Sequence, residues 1–309
     1  MLENLLTKIW RFLKRIGVKD KIGKWLSEPL ISLLAEKEKM LLFPNENWGT
    51  RLRYLLRWYE PESTKACRKF LKPGMNILDI GADIGYYSRL FSELVGPKGK
   101  VWAFEPYPDS YNLLKKNTIS PKYRNVIPVK KAISDSSGKV KFFAASNPGN
   151  PGKHGFYDVS KINPDFSLKN NLTVETITVD DFLLKEGNPQ INFIKMDIEG
   201  AEPKALTGMK NTVIRSRNLA MIVEFNVKAL QLAGENSSLF LNQLENMGFK
   251  IQTIQPNGNI KPVDGFSWRF AKEGYLNLFC LKVKEDKSSF SRAERRVEKN
   301  ECSSTPPAL

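Results

Sequence analysis

Cysteine is scarce in this chain, and long apolar runs are missing. The three cysteines, Cys67, Cys280 and Cys302, lie far apart and form no CxxC pair, so neither a disulfide framework nor a zinc site is suggested. A reducing interior is the simplest home, so the expected location is cytoplasmic. The longest apolar runs, such as "LISLLA" and "LLF", fall far short of the ~20 residues that span a bilayer. The N-terminus lacks the uninterrupted apolar stretch of a secretory leader. No GxxxxGK[ST] occurs anywhere, so a P-loop is excluded. There is no internal repeat.

Acids are also in deficit. Lys and Arg number 48 against 33 Asp and Glu, a formal net charge of +15, which favours an anionic partner such as membrane surface, nucleic acid or an acidic substrate. Part of the excess is local: residues 1–27 hold seven Lys/Arg against Glu3 and Asp20. Leu2, Leu5, Leu6, Ile9, Leu13 and Ile16 recur there at helical spacing, and Lys8, Arg11 and Arg15 fall on another face. Trp10 and Phe12 suit a water–lipid boundary. The pattern admits two placements. One is a surface-lying helix on an anionic membrane, peripheral on its inner face; the other is a helix whose apolar stripe packs on the following domain.

At 309 residues, 41% hydrophobic and 26% charged, the composition is globular and the length suits one sizeable α/β domain with an appendage. Residues 1–72 read as a helical, basic N-terminal region, with breaks at Pro61 and at "KPG". Residues 73–284 alternate strands and helices. Residues 285–309 are polar, charged and Pro-ended, and a disordered tail is expected. Strands are predicted at 76–80, 100–104, 125–132, 192–197, 219–225, 249–255 and 276–283, and helices at 86–95, 108–118, 200–209 and 237–247. That alternation implies βαβ crossovers and a parallel sheet covered on both faces. Residues 137–178 interrupt the rhythm with "KVKFFAA" and "TVETITV" around the turn-rich "NPGNPGKHGFYD", which predicts an extra hairpin with a long loop.

The stretch "NILDIGADIGYY", Asn76 to Tyr87, puts an acid and then two glycines at a strand end, where doubly wound sheets bind ligands. The nicotinamide fingerprint G-x-G-x-x-G, read from Gly81, requires glycines at 83 and 86, but Asp83 and Tyr86 stand there. A carboxylate in the middle position repels a pyrophosphate. The ligand must therefore tolerate acids and need no phosphate cradle. S-adenosylmethionine fits, because it carries a sulfonium and an amino group and no phosphate. Asp79 would attract those positive groups, and Gly81 and Gly85 would let the backbone close around the methionine portion. Glu105 in "VWAFEPYP" follows about twenty residues later, where a carboxylate commonly holds ribose hydroxyls.

In that order, "DIGADIGYYS", "FEPYP", "AISDSSG", "TVDD" and "KMDIEGAE" resemble the FkbM-type family of class I S-adenosylmethionine-dependent methyltransferases, over roughly residues 75–255. Each motif alone is weak; the shared order and spacing carry the resemblance. It implies a Rossmann-like α/β sheet, mostly parallel and seven-stranded, with its last strand antiparallel. It also implies O-methylation of a hydroxyl on a sugar, glycan or other small molecule. Asp79, Gly81, Ala82 and Gly85 should contact the methionine portion, Glu105 the ribose, and Ala132, Ile133 and Ser134 the adenine. Asp83 departs from the family, which usually has Asn there.

Methyl transfer is an in-line displacement at carbon, so an enzyme mainly positions an acceptor, and an alcohol must also lose a proton. Asp197, ending the "IKMD" strand, is the candidate for that role. Glu199 and Glu202 follow on the first helical turn, where acids also serve as plain helix-terminus charges. Three close acids could hold Mg²⁺, but the spacing demands no metal and none is counted. His154, the only histidine, lies in the loop expected to overhang the site and is the second candidate base. Tyr86 and Tyr87 are either site-lining or core aromatics, and Glu224 in "MIVEF" could touch the acceptor. Acceptor specificity is expected in the loop around 145–170 and in the N-terminal helices. Two alternatives stand beside this reading. One is an RNA or other nucleic-acid methyltransferase, disfavoured because the acids of "MDIEGAE" repel phosphates and no base-stacking aromatic motif stands there. The other is a non-catalytic S-adenosylmethionine-binding protein at the membrane surface.

Overall fold

The computed structural model describes residues 20–145, 154–155, 168–216, 218–263 and 275–282. The basic segment 1–27 lies largely outside the described residues, as does the tail from 285. Three helices lead the described chain: α1 (Asp20–Glu38), α2 (Trp48–Leu55) and α3 (Pro61–Phe70). Asn47 caps α2 by accepting from the Gly49 amide at 2.9 Å, and Pro61, with no amide hydrogen to lose, opens α3.

The alternating region follows as β1 (Asn76–Ile80), α4 (Tyr86–Val95), β2 (Lys100–Phe104), α5 (Pro108–Thr118), β3 (Val126–Val129), β4 (Ala132–Ile133), β5 (Gly138–Ala145), β6 (His154–Gly155), β7 (Leu168–Ile177), α6 (Val179–Lys185) and β8 (Phe193–Met196). After these come α7 (Glu202–Thr207), α8 (Lys210–Arg215), β9 (Ala220–Asn226), α9 (Val227–Leu232), α10 (Ser237–Asn246), β10 (Phe249–Ile254), β11 (Ile260–Pro262) and β12 (Tyr275–Lys282). The main sheet runs β11-β10-β12-β9-β8-β1-β2-β3. Its five strands from β9 to β3 are parallel. β12 enters antiparallel between β9 and β10.

Successive side chains of a strand face opposite ways, and both faces are covered. Leu78, Ile80, Trp102, Phe104, Ile194 and Met196 pack with Leu206, Val213 and Leu244 on one face. Ile77, Val101, Phe193 and Ile222 pack on the other with Phe91, and with Ile31, Leu55 and Ala66 of the leading helices. Residues 20–72 thus share a core with the sheet. Arg89 of α4 ties the same layers, donating to the Lys39 carbonyl at 3.2 Å and the Tyr123 hydroxyl at 2.9 Å.

Three details differ from the sequence reading. The sheet has eight strands, because β11 adds a hairpin to β10 across "QPNGN", where Gly258 has φ +78°. The predicted strand 125–132 is two: β3 stops where the Lys131 amide turns back onto the Val129 carbonyl at 3.0 Å, a strand-end γ-turn, and β4 joins a second sheet. The predicted helix 200–209 ends at Gly208, whose backbone lies so close to the Ser134 carbonyl that a Cβ would stand 2.1 Å from it. The second sheet runs β4-β7-β5-β6 and contains the expected hairpin of β5 and β7. No helix among the described residues is long and apolar enough to cross a membrane.

Candidate active site

The order of the main sheet reverses at β1, which leads to β2 and β3 on one side and lies beside β8 and β9 on the other. A crevice forms at the carboxyl ends of strands at such a switch point. Here it is a cavity of about 380 Å³, within the range of small-molecule sites. Its floor is made by Ile80, Gly81, Phe104, Glu105, Asp197 and Glu224 from the strand ends. The small sheet contributes Ala132, Ile133, Phe142 and Gly155; helix α2 contributes Arg53 and Tyr54, and the segments before and after it Glu46, Tyr59 and Glu60.

The loop after β1 is fixed by its backbone. The Gly81 and Ala82 amides both donate to the Phe104 carbonyl at 3.0 Å. Gly81 has φ +84°, and a Cβ there would lie 1.9 Å from the Asp197 carbonyl oxygen, so only glycine lets this loop pass the end of β8. Glu105 accepts from the Asp83 amide at 2.9 Å with one oxygen and from the Tyr107 amide at 2.8 Å with the other. Each oxygen keeps a further lone pair for a ligand.

Acids dominate the walls. Glu46, Glu60, Asp83, Glu105, Asp197, Glu199 and Glu224 line the cavity, against Arg53 and Lys131. Glu60, Asp83 and Glu199 hold φ of +39°, +45° and +51°, backbone strain of the kind that concentrates at functional sites. Burial pushes the Glu105 carboxyl up to about 8, and the Asp83 charge adds to it. Burial likewise pushes Glu46 to about 7. Glu224 is driven well above the usual carboxylate range, first by burial and then by Asp197 and Glu199. Lys195, 3% exposed within β8, donates to Asp197 Oδ2 at 3.0 Å and lies 4.5 Å from the centre of the Tyr87 ring. Burial opposes its charge, but Asp197, Glu60 and Asp79 outweigh that and hold its pKa above the ordinary value. Such a site favours a cation.

Of the residues singled out from sequence, Gly81, Glu105, Ala132, Ile133 and Asp197 line this one cavity. Asp79, Ala82, Gly85 and Ser134 are not among its lining residues. Asp79 is 1% exposed and accepts from Ser88 Oγ at 2.6 Å, and burial raises its pKa to about 6. Gly85 faces α5, where a Cβ would meet Leu114 at 2.8 Å. The His154 backbone belongs to β6, paired with Ala144; its side chain lies outside the described residues. Tyr86 and Tyr87 are buried against one another, rings 5.2 Å apart, and do not line the cavity. Glu202 is turned to local use, accepting from the Ile198 amide at 3.0 Å.

Sequence reasoning missed Lys195 and Glu60. A lysine inside the apolar strand "FIKM" is the signal that could have found the first. Glu60 accepts from the Tyr87 hydroxyl at 2.9 Å and from the Asn277 side chain at 3.1 Å, and no local pattern announces that meeting.

The Methyltransferase FkbM domain profile matches residues 79–251. The chain is similar to the hexuronic acid methyltransferase AglP of Haloferax volcanii, at 31% identity over 144 residues covering 47% of this chain and 53% of that protein. It is also similar to the 2-O-methyltransferase NoeI of Sinorhizobium fredii, at 31% identity over 154 residues covering 47% of this chain and 62% of that one. The chain thus spans between half and two thirds of the length of these relatives. Among solved structures, a SAM-dependent methyltransferase from Aquifex aeolicus is similar at 14% identity and a TM-score of 0.40, covering 72% of this chain and 90% of that one.

Proposed function

The chain belongs to the Methyltransferase FkbM domain family, and on that premise we propose that it transfers the methyl group of S-adenosylmethionine to a hydroxyl oxygen of a sugar. One observation carries the reading: the cavity at the switch point is lined by acids at the ends of β2, β8 and β9, namely Glu105, Asp197 and Glu224. When bound there, S-adenosylmethionine supplies an electrophilic methyl carbon on a sulfonium. Glu105 would hold the ribose hydroxyls with its remaining lone pairs, and the loop at Gly81 would lie beside the methionine portion. Asp197 would orient the acceptor hydroxyl and accept its proton as that oxygen takes the methyl carbon and the carbon's bond to sulfur breaks.

The two relatives described above are a hexuronic acid methyltransferase and a 2-O-methyltransferase, which supports a glycan acceptor. Seven carboxylates against two cations disfavour a phosphate-rich one. The test is labelled-methyl transfer across neutral glycans, uronic acid glycans, phosphorylated sugars and RNA. Label is expected in the unphosphorylated glycans, and label confined to RNA would overturn the assignment.

The composition of residues 1–27 supports attachment to an anionic membrane. Deleting residues 1–19 is expected to abolish sedimentation with anionic liposomes while the melting temperature stays unchanged. A lowered melting temperature with liposome binding retained would assign the apolar stripe to the domain instead.

A further inference from the structure

We propose that Asp197, Glu199 and Glu224 form a binding site for a hard divalent cation of the Mg²⁺, Mn²⁺ or Ca²⁺ class. Each of the three offers a carboxylate oxygen within 4.8 Å of the other two. The side chains come from two adjacent strand ends: Asp197 and Glu199 follow β8, and Glu224 lies in β9, paired in parallel with β8. All three line the cavity.

An acidic cluster alone would not make a site, and Glu224 supplies the independent observation. It is only 8% exposed, and its Oε2, cut off from solvent, accepts no hydrogen bond among the described residues. A buried carboxylate oxygen without a donor is costly unless something positive meets it. Lys195 is engaged with Asp197 Oδ2 at 3.0 Å, which leaves Asp197 a second oxygen. An ion among the three carboxylates supplies what Glu224 lacks.

The ligand set decides the kind of ion. All-oxygen carboxylate sites suit Mg²⁺, Ca²⁺ and Mn²⁺, whereas soft and borderline metals favour sulfur or imidazole. Ca²⁺–O distances of about 2.3–2.6 Å place opposed ligands up to ~5 Å apart, and Mg²⁺–O distances of about 2.0–2.1 Å place them ~4.2 Å apart. Carboxylate oxygens that all lie within 4.8 Å of one another can therefore close on one such ion with small movements of their side chains. Three protein oxygens leave coordination positions that two neighbouring hydroxyls of an acceptor can fill. The ion would then fix which hydroxyl faces the methyl donor and make it easier to deprotonate. That role rests on the methyl-transfer reading; cation binding does not.

The test uses the full chain stripped by chelator and titrated with MnCl₂ alone, followed by calorimetry and by loss of the free Mn²⁺ paramagnetic signal. One Mn²⁺ per chain is expected. Glu224→Gln, which keeps the shape of the buried side chain, should weaken it at least ~10-fold. Glu199→Gln, at a less buried position, should weaken it similarly and guards against a folding artefact at 224. Circular dichroism of both variants should match that of the parent, which ties the loss to the missing carboxylates rather than to unfolding. No Mn²⁺ binding, or binding unmoved in both variants, overturns the proposal. Methyl transfer to a glycan that persists at full rate in EDTA, together with no Mn²⁺ binding, leaves the reaction standing and removes the ion. Mn²⁺ binding lost in both variants, with no acceptor methylated, establishes the ion and removes the reaction.

Discussion

Asp197→Asn is expected to lower methyl transfer ~10²–10⁴-fold, the loss typical of a missing general base, with much less change in cofactor affinity. The backbone at 197 is anchored independently of the side chain, its amide donating to the Ile80 carbonyl at 3.0 Å. Asparagine keeps the size and much of the hydrogen bonding, so the carboxylate charge and basicity are what the substitution removes. Lys195 loses its 3.0 Å partner, but Glu60 and Asp79 still act on it. A modest fall in melting temperature should therefore accompany the kinetic effect without explaining it. The measurement is turnover on a labelled glycan, paired with calorimetry of S-adenosylhomocysteine. His154→Gln is the comparison: a larger loss there, with removal of a pH dependence near ~6.5, would move the base to the small sheet. Turnover near that of the parent in Asp197→Asn would reduce this acid to a cap or a cofactor contact.

The parts of the fold legible in the sequence are those fixed by short-range physics. β1, β2, α4 and α5 begin and end where they were predicted, because an apolar run, a positive-φ glycine at Gly85 and a helix-opening Pro108 act within a few residues. The hairpin of β10 and β11 is just as local, turning at Asn257-Gly258, but its second strand has only three residues, too few for an alternating pattern to show. The site divides the same way. Gly81, Glu105 and Asp197 stand at strand ends, where topology alone points a residue into the crevice. Glu46, Arg53 and Glu60 reach the same cavity from α2 and the turns that flank it, and that meeting depends on how α2 and α3 seat against the sheet. The cluster of Asp197 with Glu224 likewise depends on β8 and β9 being neighbours, a pairing of residues nearly thirty apart in the chain. The charge of the whole misleads here: a chain of net charge +15 keeps its acids where the ligand goes.

Gly81→Ala is expected to abolish cofactor binding and to destabilise the fold by ~4 kcal/mol or more, a loss reserved for strained or overpacked sites. Two effects add at this position. Any side chain at φ +84° adopts left-handed backbone, at about 1–2 kcal/mol. The new Cβ would also lie 1.9 Å from the Asp197 carbonyl oxygen and 2.9 Å from its carbon, which is main chain at the end of a buried strand and has no rotamer to give way. The loop must lift, and with it go the two amide bonds to the Phe104 carbonyl and the Asp83 amide that holds Glu105. Gly74 separates the two effects, because it has the same φ of +84° with nothing within 4 Å of its Cβ position. Gly74→Ala should therefore show the conformational part alone, a fall in stability of ~1–2 kcal/mol with S-adenosylhomocysteine binding intact. Chemical denaturation and calorimetry on both variants give the comparison. Equal losses at the two glycines, or cofactor binding retained in Gly81→Ala, would mean that the loop does not need its close passage over Asp197.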